Sequence, residues 1–156
     1  TLLLLFVVAC HRDHRPHATG SFAFDTAAIK GDPDLFFATE AEIVRSARIL
    51  ERANQRLAPP QKGAAQPPVR VEVERRGATA LFDVTVYADD REIAQRTCNA
   101  VIETYVESRL VAKQAELTAK IEALDAAGSN AQRDALVLEQ HTHENDVRLL
   151  DPCVVR

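Results

Sequence analysis

The sequence predicts an α+β protein, a small mixed sheet packed by helices, with a long helix and a return helix forming a projecting hairpin. Three observations carry this. Val69 to Val73 and Phe82 to Val86 alternate apolar and polar residues with the period of a half-buried strand. From Arg91 to about Ala127 there is neither Pro nor Gly, and apolar residues recur at helical spacing. Gly128-Ser129-Asn130 then breaks this pattern before a shorter helical stretch. Strands and helices that are both present but not strictly alternating mark the α+β class.

Ala18 to Thr26 reads as the first strand, with Phe22 and Phe24 on one face. Lys30-Gly31-Asp32-Pro33 is a loop. Asp32 is placed to cap a helix whose first residue is Pro33, where the missing N–H of Pro costs nothing. That helix is expected to run unbroken to Leu57. Phe36, Ile43, Ala47, Leu50 and Leu57 would line its inner face, and Pro59-Pro60 would stop it. Ala58 to Pro68 is a Pro- and Ala-rich internal loop.

Val69, Val71 and Val73 alternate with Arg70, Glu72 and Glu74. After the turn Arg75-Arg76-Gly77, Phe82, Val84 and Val86 alternate with Asp83, Thr85 and Tyr87, which completes a β-hairpin. Asp89 with Glu92 forms a capping-box-like start to the long helix. Its ~37 residues would span ~55 Å, about the width of a domain this size, so its far end should project. The first half carries Ile93, Thr97, Val101 and Tyr105. The second half carries the sparser stripe Leu110, Leu117, Ile121 and Leu124, which suits one partner helix. The return helix should start after Ser129 and reach about Glu144, with Leu136 and Val137 facing back. Val147 to Leu150 reads as a last strand, ended by Asp151-Pro152.

The chain has 156 residues, enough for one domain, of which 46% are hydrophobic and 27% charged. A net charge of −4 with no local basic stripe gives no basis for nucleic-acid binding. The five Gly are scattered singly, so no phosphate-cradling loop is present, and there is no Gly-x-Ser-x-Gly elbow. Carboxylates sit among Lys and Arg on helix surfaces. No catalytic, cofactor-binding or metal-binding constellation is recognisable, and the expectation is a protein without enzymatic activity.

Leu2 to Cys10 is an unbroken apolar run of nine residues, well short of the ~20 that span a bilayer. Three readings fit it: the end of a membrane helix, a secretory signal, or a buried strand. In the second, Val7-Val8-Ala9-Cys10 resembles a lipobox, with Cys10 as the lipidation site of a bacterial lipoprotein. The first two put the rest of the chain outside the cytoplasm. His11, His14 and His17 follow with a Pro among them and no paired Cys, which reads as a solvated stretch rather than a metal site. His141 and His143 read as two solvated side chains near a helix end. The remaining cysteines, Cys98 and Cys153, are compatible with a bridge in an oxidising compartment, which spacing alone does not establish.

Four segments are more specific. Gly31 to Arg52 resembles the first periplasmic helix of polysaccharide chain-length-determinant proteins, also called polysaccharide co-polymerases. Thr39, Glu40, Glu42, Ile43, Ser46, Ile49 and Leu50 match the pattern T-E-x-E-I-x-x-S-x-x-V-L. The hairpin is similar to that family's through Arg76, Thr79, Leu81 and Val84. Asp89 to Glu107 is the best match, with Ala94, Asn99, Ala100, Tyr105, Val106 and Glu107 in register. Leu149 to Val155 resembles the strand by which such chains return to the membrane. Arg91 stands where the family often has Pro, and the helical hairpin is short.

The resemblance implies residues 1–10 as the end of a membrane helix or a lipoprotein signal, and 11–156 as a periplasmic domain anchored to the bacterial inner membrane. It further implies homo-oligomers that regulate chain length in O-antigen, capsular or exopolysaccharide synthesis through contact with a polymerase and its glycan, without a cofactor. Glu40, Ser46, Asn99 and Tyr105 would be structural residues of the motif, with Asn99 and Tyr105 pinning the long helix to the sheet. The alternative is a periplasmic lipoprotein acylated at Cys10 that uses the same fold as a scaffold or binding module.

Overall fold

The computed structural model describes residues 15–26, 29, 31–57, 69–142 and 147–155. The Leu2–Cys10 run, Cys10 itself, His11 and His14, the 58–68 loop and His143 lie outside what it describes, and of His141 only the backbone, in the last turn of a helix, is described. In chain order the elements are β1 (His17–Phe24), α1 (Pro33–Arg45), α2 (Ala47–Leu57), β2 (Arg70–Arg75), β3 (Leu81–Tyr87), α3 (Arg91–Ala126), α4 (Asn130–Thr142) and β4 (Val147–Val155). This is an α+β fold. The sheet runs β2-β3-β1-β4. Its three pairings are antiparallel throughout, where the sequence had suggested a mixed sheet.

One face of the sheet is covered by helices. Phe22 and Phe24 on β1, Phe82, Val84 and Val86 on β3, and Val73 on β2 are all buried there. Phe22 lies opposite Phe82 in the register, and their rings stack at 5.4 Å. Phe24 meets Phe36 and Phe37 of α1 at 5.2 and 5.9 Å. The other face is polar. Thr19 and Thr85 share a hydrogen bond at 3.0 Å, and Tyr87 donates to Glu72 at 3.0 Å. Arg76 is clasped by Asp83, whose hydrogen bond and charge raise the guanidinium pKa further above its ordinary value.

Helix starts follow the chemistry read from the sequence, with one shift. Asp32 caps α1 by accepting from the Asp34 and Leu35 N–H groups. The cap of α3 is Asp90, not Asp89. Its backbone is extended and its carboxylate takes the Glu92 and Ile93 N–H groups at 2.7 and 3.1 Å. At the far end, Gly128 has φ +71, and the Gly128 and Ser129 N–H groups bond back to Asp125 and Leu124. That pair of bonds is a Schellman motif, which needs a left-handed residue at this position.

Two expectations fail for identifiable reasons. The helix expected from Pro33 to Leu57 is broken at Ser46, whose backbone is extended. The Ser46 hydroxyl donates to the Ile43 carbonyl at 2.6 Å, while its own carbonyl accepts from Ile49 and Leu50. A serine that bonds its local backbone competes with the helix ladder, and here it ends one helix and begins the next. The break lets α1 lie against β2 and α2 against α3. It also rotates the inner face of α1 to Phe37, Glu40 and Val44, leaving Ile43 37% exposed.

The last strand continues through Pro152 instead of stopping before it. Its register with β1 slips on both sides of Ser21, so that Gly20 lies opposite both Pro152 and Cys153. Pro is tolerated in a sheet on edge strands and at bulges, and β4 provides both.

Candidate functional site

Glu40 sits on the inward face of α1 and is only 4% exposed. A buried carboxylate is costly unless donors surround it. Tyr105, fully buried on α3, donates its hydroxyl to Glu40 Oε2 at 2.5 Å. Arg109, one turn further on, reaches Glu40 Oε1 at 3.1 Å. The Tyr105 ring packs on Phe22 of the central strand at 5.1 Å. Tyr105 therefore joins three elements: α3 through its backbone, β1 through its ring and α1 through its hydroxyl.

Asn99 occupies a second joint. Its Oδ1 accepts the Cys153 N–H at 2.9 Å. Gln95 donates to the Cys153 carbonyl at 3.0 Å, and Cys98 forms a disulfide with Cys153 across 6.0 Å between Cα atoms. Residues 95, 98 and 99 share one face of α3. One helical turn thus holds the N–H, the C=O and the side chain of a single edge-strand residue. Gly20 makes room for this. A Cβ there would lie 2.5 Å from Cys153 Sγ and 3.0 Å from Ile102 Cδ1.

Of the residues the sequence singled out, the fold brings Glu40 and Tyr105 into direct contact. It sets Asn99 at the separate β4 joint and puts Ser46 at the break between α1 and α2. Cys10 lies outside the described residues. Arg109 and Gln95 were not anticipated. The available signal was their spacing on α3, four residues after Tyr105 and three before Cys98.

Both joints are positioning devices. Glu40 bonds Tyr105 and Arg109, Asn99 and Gln95 bond the Cys153 backbone, and among the described residues no cluster of His, Cys, Asp or Glu could hold a metal ion. Among the same residues, no helix is long and apolar enough to cross a membrane.

No protein-family model matches the chain, and no curated protein matches it. Among solved structures, the chain is similar to a fragment of WzzB, a polysaccharide co-polymerase from Salmonella Typhimurium. The identity is 11% and the TM-score 0.38, over 88% of this chain and 94% of that one.

Proposed function

We propose that this chain is a non-enzymatic polysaccharide co-polymerase domain. It would regulate the chain length of a bacterial surface glycan by self-association and by contact with a polymerase and its product. It would work in the periplasm, attached to the inner membrane. The observation that carries this reading is the meeting of Glu40 and Tyr105. The two were singled out from separate motif segments, lie 65 positions apart and share a buried hydrogen bond. A coincidental resemblance gives no reason for such residues to touch. The Cys98–Cys153 disulfide adds support for an extracytoplasmic site, because such bonds persist in oxidising compartments.

The test is genetic. Deleting the gene should change the distribution of glycan chain lengths on a gel, and expressing the Tyr105→Ala chain should fail to restore it. An unchanged ladder in the deletion strain would sink the proposal.

A further inference from the structure

Between α2 and α3 lies an open cleft of about 320 Å³, on the side of α3 away from the disulfide. That is the low end of the range for small-ligand sites. Its floor includes Thr104, which is 4% exposed and whose Oγ1 is buried with no hydrogen-bond partner among the described residues. Buried hydroxyls are ordinarily satisfied, so an orphan one needs an explanation.

The walls offer a mixed set of polar groups. Arg56 crosses the cleft to pair with Glu107, and more distantly with Glu103 at 3.9 Å. Arg52, one turn before it on α2, is exposed and has no acidic partner among the described residues. Ser108 donates its hydroxyl proton to the Tyr105 carbonyl, which leaves its oxygen free to accept. The side chains lining the cleft thus combine one uncompensated cation with several neutral or balanced groups.

We infer that this cleft binds one sugar unit carrying a carboxylate. The Arg52 guanidinium matches a carboxylate in geometry and charge. Glu107 and Ser108 accept from ring hydroxyls, and rotation of the Thr104 side chain, whose oxygen is covered in the ligand-free chain, would let a ligand oxygen supply the partner it lacks. Inorganic phosphate would satisfy Arg52 equally well but lacks the ring hydroxyls that the free Ser108 oxygen and the lone pairs of Glu107 not used by Arg56 can take. The choice of a saccharide rests on the function proposed above.

Titration of the full chain with a trigalacturonate probe, followed by calorimetry, tests this, with neutral maltotriose as the control. Saturable binding of the uronate is expected, at least tenfold weaker for maltotriose and at least tenfold weaker for Arg52→Gln. Because Arg52 is exposed, its replacement should leave folding intact. Thr104→Val should also weaken uronate binding while leaving the ligand-free thermal midpoint unchanged or raised. Equal affinity of the wild-type and Arg52→Gln chains, or no saturable uronate binding at all, overturns the assignment. A normal glycan ladder in the deletion strain together with intact, Arg52-dependent uronate binding would remove the chain-length reading and keep the cleft. A changed ladder without uronate binding would do the reverse.

Discussion

The two halves of α3 have the same backbone geometry and are held in different ways. From Arg91 to Tyr105 the helix buries Ala94, Thr97, Cys98, Ala100, Val101, Ile102, Thr104 and Tyr105 against the sheet and its neighbours. From Val106 to Ala126 it fully buries Leu117 alone: Val106 still touches the core and Arg109 still reaches Glu40, but beyond them α4 is the packing partner. The outer half relies on surface contacts: Lys120 to Glu116, Arg133 to Asp125, and Gln140 to Thr118. Hydrophobic periodicity predicted helix in both halves. What separates them is the presence of a sheet to bury against, and stability within one helix should be correspondingly uneven.

The sharpest break in that contrast should come from Tyr105→Ala. It removes a fully buried aromatic ring and one donor of Glu40, and should cost about 4–5 kcal/mol. An unaltered thermal midpoint would refute the role given to Tyr105. Replacing Cys98 and Cys153 together by Ala should cost about 4 kcal/mol by the loop-closure estimate for a separation of 55 residues. Urea midpoints with and without reductant check this, and reductant should have no effect on the double variant.

Glu40→Gln leaves Arg109 without its buried carboxylate. A loss of about 3 kcal/mol is expected, the low end for a broken buried pair, because Arg109 keeps 24% of its side-chain exposure. In the outer half, Leu117→Ala should cost about 2 kcal/mol. Hydrogen exchange should accelerate in α4 and the end of α3 while β1 and β3 stay protected. Acceleration throughout the sheet would mean that the two halves form one cooperative unit. The smallest effect belongs to Lys120→Gln, which breaks a solvent-exposed pair and should leave the thermal midpoint essentially unchanged. Glu116 raises the Lys120 pKa above its ordinary value, mainly by a hydrogen bond and then by charge. What little the pair contributes is present below the ordinary lysine pKa and is lost as pH rises through the raised one.

Most of the architecture was legible because it rests on period and punctuation. The alternation in β2 and β3, the Asp32-Pro33 start and the Gly128 stop each have a local physical cause. The failures came where a contact that hydrophobic period does not encode, local at Ser46 and long-range elsewhere, decided the outcome. Ser46 looks acceptable inside a helix until its hydroxyl is seen bonded to Ile43. Pro152 looks like a strand end until its strand is known to be a bulged edge. Glu40 read as a motif residue, but nothing in its neighbourhood showed that it faces inward, because the break at Ser46 resets the helical phase. Arg109 was invisible for the complementary reason: an arginine on a long helix is normally solvated, and only the buried carboxylate opposite gives it a task. The cystine was left open by spacing and is fixed by the register of β4.

Gly20 carries a consequence for how this sequence can drift. Its lack of a side chain reflects the space taken by the Cys153 sulfur, and its backbone is not in a conformation that demands glycine. Positions 20, 98 and 153 are therefore coupled as substitutable units. While both cysteines remain, position 20 admits no side chain without a shift of its neighbours. Loss of the Cys153 sulfur removes the closest of those contacts, and loss of Cys98 frees that sulfur to turn away. Among descendants of this chain, an alanine or larger residue at position 20 should mark those in which the covalent tie between the long helix and the last strand has already disappeared.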